Sequence, residues 1–330
     1  MNVSTNNGRI KEIDICKAIG IALMIYAHRR DGFVHDYIYT FHMPLFFILS
    51  GMVIKKEALT FKQVVSKERK TLIEYIFFSF IIIIYCHFNN IYNMSFKEMV
   101  FDTISLNGIH VLWFLPSLMF ARILFRSIDA KQLDIKKELI IFFVIYLLST
   151  ILYRVFSAKE LYSIIIEFIL TILRAMSLSI FIFIGYITKT KIFDDCYKIN
   201  NLKSFLYSIS ILGIQLLFTK LGTYDYRLCK YPIIINIIIA TLPSIAILLL
   251  LKMVVKHVPV ISEKIAKVGQ NSLYIMYSEC FNLSLISYNL IYDNFSTTMN
   301  KLLYLFLYLV FMFIFVKALK MLNEHILKLA

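Results

Sequence analysis

Charge is what this 330-residue chain has least of: 17% of its positions are Asp, Glu, Lys or Arg, against 59% that are hydrophobic. A soluble domain needs roughly a quarter of its residues charged, and a mean hydropathy of +0.74 excludes that class as well. Nine glycines and five prolines are too few for a flexible linker, so the chain reads as one domain over 1–330. Five cysteines, Cys16, Cys86, Cys196, Cys229 and Cys280, are odd in number and show no paired or metal-ligand spacing. They read as packing residues, and no metal site is expected. A phosphate-cradling Gly-rich loop is also missing.

What is there instead is a succession of long apolar runs, at 13–28, 37–54, 71–88, 109–128, 138–153, 161–187, 203–219, 231–251, 270–291 and 302–319. In lipid the backbone must satisfy its own hydrogen bonds, and these runs are too long and too uniformly apolar for barrel strands. The expected fold is therefore all-α, a polytopic transmembrane bundle of about ten helices. The net charge of +14 does not point to nucleic acid, because its distribution follows the membrane. With the amino terminus inside, alternate connections hold 24 Lys and Arg against 9 in the others, the bias of cytoplasmic loops. Both termini are expected in the cytoplasm. The first run carries Asp14 and Lys17 and leads into Arg29-Arg30 without a small-residue cleavage site, so it is not expected to be a cleaved signal peptide.

Ionisable groups at membrane depth are costly and mark candidate sites. At 100° per residue Lys17 and His28, eleven apart, fall within about 20° of one helix face and about 16 Å apart along it. Asp14, three residues before Lys17, is at ion-pairing distance, although a pair snorkelling to the interface has the same spacing. A short connection makes the next helix an antiparallel neighbour, which brings His42 to a depth similar to that of His28. Pro44 cannot donate to the Thr40 carbonyl and should open the helix beside His42. Pro44, Ser50 and Gly51 also suit helix kinking and close packing, and for Ser50 that is the favoured reading.

Asp14, Lys17 and His28, followed by Phe41-His42-Met43-Pro44-Leu45-Phe46-Phe47 and Ser50-Gly51, resemble the amino-terminal signature of the integral-membrane acyltransferase-3 superfamily, and within it the fucose 4-O-acetylase-like polysaccharide O-acetyltransferases. Leu112-Trp113-Phe114-Leu115 and Gly269-Gln270-Asn271-Ser272-Leu273 are similar to later segments of that family. Two positions depart from it: Glu279 stands where a histidine is usual, and Glu74 follows the basic stretch where a proline is usual.

The resemblance implies transfer of an acyl group, most often acetyl from acetyl-CoA, to a hydroxyl of a cell-surface polysaccharide or its lipid-linked precursor, in the plasma membrane. Acyl-CoA would be a donor substrate rather than a resident cofactor; the other partners would be the glycan and membrane lipids. A sugar hydroxyl needs a base to take its proton and a donor for the developing oxyanion. His28 is the candidate base, with His42 and Asp14 beside it. Lys17, Arg69 in the basic segment 55–70, and Trp113 are candidates for holding the donor. Segment 55–70 serves equally for topology and attraction to lipid heads, and Trp113 equally for interfacial anchoring. Glu167 and Arg174, seven apart on one face, read either as a buried pair or as a polar passage. A polysaccharide transporter or flippase is the rival reading.

Overall fold

The computed structural model describes residues 10–28, 31–55, 57–89, 94–159, 163–193, 201–281 and 297–329. These residues are helical, with no strand among them beyond an isolated bridge between Asp225 and Lys230. The order is α1 (Lys11–Ala27), α2 (Phe33–Tyr39), α3 (His42–Val53), α4 (Phe61–Asn89) and α5 (Phe96–Ile104). A 3-10 turn (His110–Trp113) then leads into α6 (Phe114–Asp129), followed by α7 (Ile135–Ser157) and α8 (Ile164–Ile187). The remainder is α9 (Asn201–Phe218), α10 (Ile233–His257), α11 (Pro259–Gln270), α12 (Ser272–Cys280) and α13 (Thr297–Leu329). Six helical stretches among the described residues are long and apolar enough to cross a bilayer: 61–88, 110–129, 135–157, 164–190, 202–221 and 233–251.

Several helix starts are written locally. Ser95 and Glu98 form a reciprocal capping box at α5, and the Ser163 hydroxyl accepts from the Ile166 amide at α8. The arrangement of helices follows their composition. α8 is apolar on almost every face and sits at the centre, packed on α3, α6 and α7, with Leu178, Phe181, Ile182 and Phe183 fully buried. α7 and α9 turn Ile140, Leu148, Leu206 and Leu217 outward, a surface suited to lipid rather than water.

Two crossings bring backbone against backbone. A Cβ added to Gly51 of α3 would lie 2.0 Å from the Ile182 carbonyl oxygen, and one on Gly185 of α8 would lie 1.9 Å from that of Ile48. The same happens where α11 crosses α1: a Cβ on Gly269 would lie 1.6 Å from the Asp14 carbonyl oxygen. Small residues permit such approaches, from which helices in lipid draw their packing attraction.

The expected pattern of ten single spans is modified in two places. The run 37–54 is not one helix but α2 and α3, separated at Thr40 and Phe41. Pro44 therefore lies in the first turn of α3, where an amide has no helical partner to lose, and it does not open a helix beside His42. The run 270–291 is likewise divided: Asn271 separates α11 from α12, and positions 282–291 lie outside the described residues.

Ala at position 51 or 185 should lower the thermal stability of the detergent-solubilised protein by about 1–3 kcal/mol, the usual range for overpacking. Gly213→Ala in α9, whose added methyl meets nothing within 4 Å, should be neutral or stabilising. Equal melting temperatures for all three variants would show that the α3–α8 crossing opens freely.

Candidate active site

The break between α2 and α3 frees backbone groups in an apolar bundle, and those of Ile38 and Thr40 find partners. The Thr40 carbonyl accepts from the Tyr226 hydroxyl (2.7 Å), while the Thr40 hydroxyl donates to the Tyr37 carbonyl (2.7 Å) and accepts from Gln215 Nε2 (2.8 Å). Thr40 is fully buried. The Ile38 carbonyl takes the Phe41 amide (3.2 Å) and lies 3.1 Å from Nδ1 of His42. A carbonyl only accepts, so Nδ1 must carry the proton. In neutral His42 that leaves Nε2 as the acceptor, the state a general base needs.

His42 lines a cavity of about 530 Å³, within the range of small-molecule sites. His28, exposed at the end of α1, lines it too, as do Tyr39 and His110. Their rings form one cluster: Tyr39 lies 4.7 Å from His42 and 6.3 Å from His28, and His110 lies 5.7 Å from His28. His110 is held there by a strained turn. Leu106 and His110 adopt φ of 57° and 48°, and Gly108, at φ 80°, passes so close to Trp113 that a Cβ would lie 2.3 Å from its amide nitrogen. Left-handed backbone at a non-glycine residue is uncommon and tends to mark functional positions.

The same cavity extends along α1 to Lys17. The Lys17 ammonium sits 3.3 Å from Asp14, whose other carboxylate oxygen accepts from Gln270 Nε2 at 3.1 Å. Arg122 lines the wall nearby, 2.8 Å from the Glu68 carboxylate and donating to the Thr71 hydroxyl at 2.9 Å. Glu74 also lines it and accepts from Asn323 Nδ2 at 2.8 Å. This end is cationic and amide-rich; the other carries imidazoles.

Beyond Trp113 lies a second polar network. Asp102, at the end of α5, accepts from Asn107 Nδ2 (3.2 Å) and stands 3.9 Å from Arg227. Burial pushes its carboxyl up, while Asn107 and Arg227 pull it down. Burial and the neighbouring Arg174 charge press the Arg227 guanidinium in the opposite sense, below its ordinary range. Arg227 also donates to the Gly108 carbonyl (3.1 Å), bracing the strained turn.

Of the residues singled out from sequence, Lys17, His28, His42 and Trp113 line one cavity, and Asp14 stands just behind Lys17. Ser50, read mainly as a packing residue, lines it as well. Arg69 does not; it is exposed on α4, and the arginine in the wall is Arg122. Glu167 and Arg174 share a face but form no ion pair: Arg174 donates to Asn107 Oδ1 instead (2.9 Å). Glu279 accepts from the Tyr308 hydroxyl (2.8 Å). Sequence reasoning gave no site role to Arg122, Gln270, Asp225, Tyr226, Arg227 or His110. The available signal for His110 was a polar cluster, Asn107 to His110, directly before the Leu112-Trp113 segment.

A family model described as an acyltransferase domain matches residues 10–321. No curated protein and no solved structure matches the chain.

Glu68 and Arg122 form a largely buried pair, and such pairs lose more when one member goes than when both do. Glu68→Gln should lower the melting temperature of the solubilised protein, and adding Arg122→Met should recover part of the loss. No change in Glu68→Gln would mean that water screens the pair.

Proposed function

Since the chain belongs to the acyltransferase-3 family, and so to the membrane acyltransferases, we propose that it moves an acetyl group from acetyl-CoA to a hydroxyl of a cell-surface polysaccharide or its lipid-linked precursor. The observation that carries this reading is the single cavity with Lys17, Arg122 and Gln270 at one end and His28, His42 and His110 at the other. Its length along α1, about 16 Å from the helical rise, suits a thioester arm reaching inward from a nucleotide held outside. Lys17 and Arg122 take the polar parts of the arm. Arg69, exposed on α4, meets the phosphates beyond the cavity mouth.

His42 Nε2 takes the acceptor proton as the hydroxyl oxygen attacks the thioester carbonyl. The tetrahedral intermediate then expels the CoA thiolate, and the proton passes from His42 to that sulfur. Sequence reasoning put the base at His28. The Ile38 contact favours His42, because a base works best with its tautomer fixed. His28, at the opposite end of the cavity from Lys17, donates a ring N–H to the developing oxyanion. Under the positive-inside topology the Lys17 end faces the cytoplasm, where acetyl-CoA is made, and the imidazole end faces the outer leaflet of the plasma membrane.

His42→Ala should reduce glycan acetylation by about 10²–10⁴-fold, the usual loss of a general base, with normal membrane insertion; His28→Ala should give a smaller loss. Glycan mass spectrometry reads both, and a full acetyl mass increment in a well-expressed His42→Ala variant refutes the assignment.

Lys17→Ala should raise the KM for acetyl-CoA more than it lowers kcat, with Lys17→Arg milder because it keeps the charge. An unchanged KM for the donor would remove Lys17 from its site.

Sidedness is checked by impermeant maleimide on single cysteines in a background lacking the native ones. Gln63→Cys should label only after permeabilisation and Asp31→Cys in intact cells. Labelling of position 63 from outside overturns the route.

A further inference from the structure

Arg174 lies in α8, 1% exposed, deep in the apolar centre of the bundle. Its guanidinium stacks over Trp113 at 5.4 Å and Tyr153 at 5.8 Å, and Nη2 donates to Asn107 Oδ1. Nε and Nη1 have no hydrogen-bond partner among the described residues. Among the described residues no carboxylate stands within ion-pair distance of it, although Glu167 lies two turns away on the same face. A buried cation with unpaired donors is costly unless something supplies the anion.

Beside it is a second cavity, of about 540 Å³, lined by Arg174, Arg227, Asn107, Tyr153, Glu167 and Asp225 among others, with Ser157 and Leu228 exposed at its rim. Asp225 and Arg227 line the histidine cavity as well, so the two spaces share a wall. The lining mixes two guanidiniums, an amide, two carboxylates and two aromatic rings, groups that bind a polyhydroxylated ligand.

We propose that this second cavity is the acceptor subsite, and that Arg174 with Arg227 binds an anionic group, carboxylate or phosphate, carried by the saccharide whose hydroxyl enters the histidine cavity. This rests on the acyl-transfer reading for the identity of the ligand, while the binding itself is measurable without transfer. Nε and Nη1 stand on either side of the Nη2 that Asn107 and Tyr153 accept from, so each keeps an N–H for the charge-assisted hydrogen bond of an anion. Trp113 and Tyr153 lie against the guanidinium. Glu167 opposes the bound anion and limits its affinity, which favours release of the product.

Trp113 is the only tryptophan in the chain, and it stacks on the guanidinium in question, so its emission reports occupancy directly. The test titrates the purified, detergent-solubilised full-length protein with a glucuronate-containing oligosaccharide, with a hexose 1-phosphate and with the corresponding neutral hexose oligosaccharide. One of the two anionic probes should change the emission saturably; which one does so separates an acidic sugar from a phosphate-linked precursor. Arg174→Gln should weaken that response by about thirtyfold or more, and Arg227→Gln, in a more accessible position, should weaken it too. Glu167→Gln should tighten binding by roughly two- to fivefold, the size of a part-exposed charge interaction, a gain that misfolding cannot produce. An equal response to the neutral oligosaccharide, or none to either anion, overturns the subsite. Acetyl transfer without any anion response likewise sinks the subsite alone, whereas anion binding without transfer supports it and counts against the acyltransferase chemistry.

Discussion

The site depends on one corner of the chain, Thr40 and Phe41, where a helix stops and another begins inside an apolar bundle. Broken backbone at such depth survives only if protein groups replace the missing hydrogen bonds. Here Tyr226 and Gln215 do so, from segments more than 170 residues further along. Without that corner α2 and α3 would merge into one helix. The Ile38 carbonyl at the end of α2 would then take the His42 amide instead of holding its ring, and Pro44 would fall in a helix interior instead of a first turn. The local chemistry of the imidazole is therefore set by contacts it does not make itself.

The two ends of the histidine cavity are built by different means. The cationic end comes from pairing: Lys17 with Asp14, Asp14 with Gln270, Arg122 with Glu68. Each charge there is held by a neighbour, so it keeps its place when the cavity is wet or filled. The imidazole end comes from backbone constraint, a carbonyl on His42 and a left-handed turn at His110. Side chains that must change protonation during a reaction are better positioned by groups that do not ionise.

How much of this was legible beforehand divides along a physical line. Lys17 and His28 could be placed on one stripe because both lie in one helix, where angular arithmetic holds whatever the helix packs against. His42 and Trp113 came from motifs resembling a known family. Glu167 and Arg174 could be placed on one face, but whether they pair stayed open, since Asn107 arrives from a loop 67 residues away. The site roles of Arg122 and Gln270 were hidden for the same reason: α6 and α11 bring them to α4 and α1 only through tertiary packing. Pro44 was misread because its effect depends on where its helix starts, and a distant tyrosine decides that.

The backbone crossings at glycine set an order in time. α3 cannot reach its final seat until Gly185 has been made, more than 130 residues after Gly51, and α1 cannot close on Gly269 until α11 emerges. For most of synthesis the amino-terminal helix, with Asp14 and Lys17, must wait in or beside the membrane without its partner. Nascent chains that stall before residue 269 therefore expose a charged, unclosed helix. Closure of the first helix has to follow synthesis of the carboxyl-terminal third.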